Sequence, residues 1–152
     1  MNPYARAAVG VAGLALVLGG GGVALATSAP AAPAGDLGAP LGPGVVTVDL
    51  GIEHSTFSRD RIVVHEGTTV RFVVSNDDPI LHELIVGPPD VQERHELGTE
   101  AAHPPRPGEV AIQPLTQATT TYEFTATGSI EFACHLPGHH AYGMSGFVEV
   151  VP

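Results

Sequence analysis

Residues 132–144 read FACHLPGHHAYGM. They hold Cys134, the only cysteine of the chain, and Met144, the only methionine besides Met1. Four residues separate Cys134 from His139, and four more separate His139 from Met144. A thiolate, an imidazole and a thioether brought this close are donors for a soft metal with two accessible oxidation states. Cysteine and methionine select Cu(I), while imidazole also holds Cu(II). Copper is therefore the expected ion, and one further histidine must come from elsewhere in the chain.

Local backbone chemistry makes the stretch a ligand loop between two strands. Ile130, Phe132 and Cys134 alternate onto one face of a strand, which delivers the sulfur to one end of a sheet. Pro137 and Gly138 turn the chain back and aim His139 at Cys134, and Gly143 permits a second bend before Met144. A lone buried cysteine is more often inert core; here His139 and Met144 make it a candidate ligand. His140 competes with His139, but adjacent side chains diverge and only His139 directly follows the turn. His135 is expected to point away from the sulfur, to the surface or to an outer shell. His82 opens a strand just after the turn 76–79 and is the candidate for the second imidazole.

Outward from this loop the chain reads as short strands. Runs at 45–50, 62–64, 68–75, 82–86, 110–112, 119–127, 129–133 and 147–151 alternate or are dense in Val, Ile, Thr and aromatic residues. In the run 68–75, Val70, Phe72 and Val74 share one face. Turn signals at Glu66 and Gly67, Asn76 to Pro79, Gly87 to Pro89, and Thr127 and Gly128 separate several of the runs. Many short strands with such punctuation predict an all-β fold, a single Greek-key β-sandwich. The exception is the polar, proline-studded excursion 88–108, with one helical turn expected near 91–97. It carries His95 and His103 and is long for a structureless loop, which points to a functional or mobile excursion.

Three segments follow. Residues 1–26, with Arg6 before an apolar run and a small-residue site at 24–26, form a signal peptide or an uncleaved membrane anchor. Residues 27–44 are an Ala/Pro/Gly-rich linker, and 45–152 are the folded domain. The domain is therefore expected outside the cytoplasm, secreted or anchored at the outer face of the membrane. The chain has no lysine, six arginines and sixteen carboxylates, for a formal charge of −10. Such a field repels nucleic acid and steers cationic partners. One cysteine excludes an internal disulfide.

At this point the chain resembles the cupredoxins, or blue-copper proteins. It is plastocyanin- and azurin-like, and its Cys-x4-His-x4-Met loop is similar to the rusticyanin type. The resemblance covers about 45–151 and implies an eight-strand sandwich. It also implies His82, Cys134 and His139 as equatorial ligands of one copper ion and Met144 as the axial one. It further implies electron transfer by Cu(II)/Cu(I) cycling. A monomer is expected, and the acidic charge points to a redox partner with a basic docking surface. Amide donors to the sulfur, one from Glu83, and apolar cover from Phe132, Leu136 and Pro137 are expected to tune the site. Multicopper oxidases share a similar loop, but Ala133 stands where their cluster needs a histidine, and the chain has no His-x-His pair. Catalysis is not expected. The competing expectation is copper buffering, delivery or resistance, with His95 and His103, joined by His135 and His140, as an accessory copper site. Zinc has little use for the thioether.

Overall fold

The computed structural model describes residues 39–98 and 103–152. The signal or anchor segment and residues 27–38 of the linker lie outside the described residues. Among the described residues, no helix is long and apolar enough to cross a membrane.

Alternation of apolar and polar side chains produces nine strands. They are β1 (Gly44–Glu53), β2 (Thr56–Phe57), β3 (Arg61–His65), β4 (Thr68–Asn76), β5 (His82–Gly87), β6 (Glu109–Ile112), β7 (Gln117–Phe124), β8 (Gly128–Ala133) and β9 (Ser145–Val151). One sheet runs β2-β1-β4-β7 and the other β3-β9-β8-β5-β6. Each is mixed, since β1 lies parallel to β4 and β3 parallel to β9, while the other pairs are antiparallel. The sheets bury Val48, Leu50 and Ile52 of β1, Val70, Phe72 and Val74 of β4, and Phe132 and Val148 from the opposite layer. Each such buried side chain contributes about 1.5–3 kcal/mol.

Three details differ from the sequence reading. The two-residue β2 makes nine strands where eight were expected, because Ile52 pairs with Phe57 across a tight turn. The run 119–127 stops being strand at Phe124. Leu41, inside the stretch read as linker, is bridged to β3: its N–H donates to the Val63 carbonyl (3.0 Å) and its carbonyl accepts from His65 N–H (2.8 Å). A single leucine among Pro and Gly carries no periodicity, so its docking was invisible locally.

The excursion after β5 is not a structureless loop. It contains a two-turn helix, α1 (Pro89–Glu96), with Pro at its start, Asp90 in the first turn, and Arg94 and His95 in the last. All of these suit the helix ends and dipole. The helix covers the outer face of β5, which is why Ile85 is buried as well as Leu84 and Val86. Gln92 locks it there, its amide nitrogen lying 2.9–3.2 Å from the carbonyls of Ile85, Gly87 and Glu131.

The strand that leaves the ligand loop is packed without slack. A Cβ built on Gly146 would lie 2.6 Å from the Asp60 carbonyl oxygen and closer still to the Phe132 ring. That ring also meets Phe57 edge-on at 5.5 Å. Overpacking of this kind costs about 1–3 kcal/mol. Gly146→Ala is expected to lower the unfolding free energy of the metal-free protein, measured by chemical denaturation, by an amount in that range; an unchanged value would show that β9 can shift freely.

Candidate metal centre

Two segments at one end of the sandwich, the start of β5 and the loop between β8 and β9, build the centre. His82 is the first residue of β5, Cys134 follows the last residue of β8, and His139 lies in the turn before β9. Positive φ angles at Gly138 (87°) and Gly143 (92°) fold that turn back on itself, a conformation that L side chains rarely adopt. The backbone then closes it: Cys134 N–H donates to the Met144 carbonyl (3.1 Å), and Met144 N–H to the His139 carbonyl (3.0 Å).

The side chains of His82, Cys134 and His139 converge, with one donor atom from each within 4.8 Å of the others. Cys134 Sγ lies 3.3 Å from His139 Nδ1, and the two imidazole rings are 4.9 Å apart. His82 and Cys134 are fully buried, Met144 is 1% exposed, and His139 is half-buried. Met144 thus joins the same core cluster as Cys134. His140, the competitor of His139, turns away to Glu96 and Glu131.

The state of His82 is set by one residue. Its Nε2 is 2.9 Å from Asp78 Oδ2, while its Nδ1 is buried with no hydrogen-bond partner. A buried polar atom left unpaired costs about 1–3 kcal/mol, and a metal ion would satisfy it. With Nε2–H given to Asp78, the lone pair sits on Nδ1. Burial holds the His82 pKa below its ordinary value, against the raising effect of Asp78, so the ring stays neutral and able to ligate. Burial alone would raise the Asp78 carboxyl; the N–H groups of Ser55 and His54, both at 2.8 Å, together with His82 outweigh it and hold it low.

Cys134 carries the opposite shift. Burial pushes its thiol up to about 11, although the N–H groups of Glu83 and Leu136 donate to the sulfur and favour the thiolate. Copper fits this donor set: two imidazole nitrogens, a sulfur with amide support, and a buried thioether in the same loop.

Residues 45–151 match the copper binding proteins of the plastocyanin/azurin family. The chain belongs to that family. Its cofactor is a single copper ion. Over 97 residues the chain is 36% identical to a copper-resistant cuproprotein, CopI, of Rubrivivax gelatinosus; the match covers 62% of this chain and 59% of that one. The chain therefore spans less than two thirds of that relative's length. Among solved structures, reduced auracyanin of Roseiflexus castenholzii superposes with a TM-score of 0.57 at 21% identity, covering 73% of this chain and 98% of its own. Reduced rusticyanin gives 0.53 at 17% identity, covering 73% and 81%. At these identities the likeness is one of fold, and it is the cupredoxin sandwich expected from the sequence.

In this plastocyanin/azurin-type domain, sequence reasoning marked the turn from Asn76 to Pro79 but gave Asp78 and Asn76 no role of their own. Asn76 is buried and gathers the loop, its amide nitrogen lying 2.8–3.2 Å from the carbonyls of Ile80, Ile112 and Gln113 while its oxygen accepts Asp78 N–H. The only local signal was the spacing of Asp78 four residues before His82. His135 also departs from the surface position considered for it. Its side chain is 1% exposed beneath α1, and its N–H donates to Glu83 Oε1 at 2.8 Å. His95, named for an accessory copper site, is buried and lies 3.2 Å from Glu109.

Proposed function

We propose that this chain is an exported blue-copper protein that carries single electrons by Cu(II)/Cu(I) cycling. In this reading His82, Cys134 and His139 are the strong ligands, and Met144 is the weak axial one. The observation that carries it is the partnerless, buried Nδ1 of His82 in a cluster where Cys134 Sγ and His139 Nδ1 already meet. Copper, when bound, supplies a one-electron couple, and a Cys–His–His set with a long thioether contact suits both oxidation states. The closed loop holds its donors without rearrangement, and the amides of Glu83 and Leu136 draw charge from the sulfur. His139 is the route outward. It is half-buried, amid exposed Pro137, Gly138, Ala141 and Tyr142, and Ile80, Leu81 and Leu115 add apolar surface on the adjoining loops. The charge of −10 favours a partner with a basic docking face. The apolar segment 1–26 supports a place outside the cytoplasm.

Voltammetry of the copper-loaded protein is expected to give one reversible one-electron wave. Copper binding without reversible electron exchange would refute the carrier reading. A second reading, copper tolerance, is favoured by the likeness to the copper-resistant cuproprotein of Rubrivivax gelatinosus. A protein that buffers copper gains from capacity beyond one buried ion.

A further inference from the structure

Away from the buried centre, four histidines stand in a row along α1. His103 and His95 have ring centroids 5.2 Å apart, His95 and His135 6.2 Å, and His135 and His140 4.8 Å. We propose that Glu96, His135 and His140, at one end of this row, form a second, sulfur-free copper(II) site on the protein surface. The proposal does not depend on the redox role of the buried centre.

The geometry converges on one point. Glu96 Oε2 is 2.8 Å from His135 Nδ1 and 3.2 Å from His140 Nδ1, and the three donors lie within 4.8 Å of one another. Donors that each sit about 2.0 Å from a shared ion are roughly 2.8–3.3 Å apart at bond angles of about 90–109°. Behind each ring stands a group that can only accept. His135 Nε2 is 2.7 Å from Gln92 Oε1, and His140 Nε2 is 3.0 Å from Glu131 Oε1. The Gln92 amide nitrogen is committed to backbone carbonyls, so its oxygen necessarily faces His135.

A neutral imidazole has one N–H and one lone pair, yet both rings face acceptors at both nitrogens. With Nε2–H given to Gln92 and Glu131, each ring aims a Nδ1 lone pair at the Glu96 carboxylate. One divalent ion between them satisfies all three donors together. A histidine ligand backed by an acceptor on its far nitrogen is the usual support of a metal site.

Donor chemistry and access select the ion. Two imidazole nitrogens and a carboxylate oxygen suit copper(II), which binds such sites most tightly among the divalent first-row metals. Glu96 is 54% exposed at its side chain and His140 33%, so exchange with solvent is open. The neighbouring group of His95, His103 and Glu109 is the weaker candidate. It is more buried, and guanidinium nitrogens of Arg94 and Arg106 lie 3.8 and 3.7 Å from the Glu109 carboxylate, where they compete with a dication.

The test is a Cu(II) titration of the full-length chain, read by metal analysis, visible absorption and EPR. Two equivalents are expected, the second with nitrogen/oxygen-type EPR and no added thiolate band. Glu96→Ala should weaken the second equivalent by about tenfold or more, with the thiolate band of the first intact. Glu96→Gln, which keeps the size but loses the charge, should weaken it too. His95→Ala with His103→Ala should leave it in place. A single equivalent that carries the thiolate band, or a second equivalent that survives Glu96→Ala, overturns the proposal. A Glu96-sensitive equivalent without any thiolate band would instead refute the buried centre and leave this site standing.

Discussion

Replacing Cys134 by serine should remove the thiolate-to-copper absorption of the loaded protein altogether. Cys134 is the only cysteine, so no other thiolate can stand in. A serine hydroxyl stays protonated at working pH and is a hard donor, poorly matched to copper. What remains at the buried centre is His82, His139 and Met144, expected to hold Cu(II) weakly and with only weak ligand-field absorption. Proton release gives an independent reading. The wild-type thiol is pushed up to about 11 by burial, against the amides of Glu83 and Leu136, so it is protonated at pH 8. A ligating thiol is deprotonated outright, and copper uptake must expel that proton. At pH 8, calorimetry in buffers of different ionisation enthalpy should show about one proton released per copper in the wild type and about none in Cys134→Ser. Through this group alone, the apparent affinity should rise about tenfold per pH unit from pH 7 to 10. A retained band, or equal proton release in both proteins, would show that the sulfur is not a ligand.

Asp78→Ala should combine a loss of stability with a loss of copper affinity. The Asp78 carboxylate receives His54 N–H and Ser55 N–H, each at 2.8 Å, and His82 Nε2–H at 2.9 Å. The first two hold the β1–β2 turn, where His54 and Ser55 both have positive φ. Losing several charge-assisted bonds at a residue only 7% exposed should cost roughly 3 kcal/mol in the metal-free protein, measured by chemical denaturation. Copper affinity should fall about 10–100-fold, the usual cost of losing the group that orients a ligand histidine. The pH dependence has a definite sign. The folded Asp78 carboxyl lies below its ordinary 3.8, so the electrostatic part of its contribution is complete above pH 3.8. It is lost as pH falls through the folded value. The gap between wild type and variant should therefore be largest at neutral pH and shrink in acid. Asp78→Asn should fall between the two, because an amide keeps one acceptor oxygen for these three donors. An Asp78→Ala protein with unchanged stability and copper affinity would refute this role.

Much of the architecture was legible because strand alternation is a local signal. Val70, Phe72 and Val74 were read onto one face and are all buried, and the run 68–75 became Thr68–Asn76. The loop was equally legible, since Pro137, Gly138 and Gly143 constrain the backbone wherever they occur. The 88–108 excursion was less so. Its single helical turn became two because Gln92 finds carbonyls on β5 and β8, partners that no local pattern announces.

The sequence by itself determined which donor types the chain offers a metal, and the spacing at which they recur. Both are properties of side-chain chemistry and of turns a few residues long. Only the tertiary structure decided which nitrogen of His82 is free and what holds its proton. It also decided that His135 and His140 meet Glu96 across some forty positions of chain. Those outcomes depend on strand register and on how α1 docks, and both are set by burial summed over the whole sandwich rather than by any single segment.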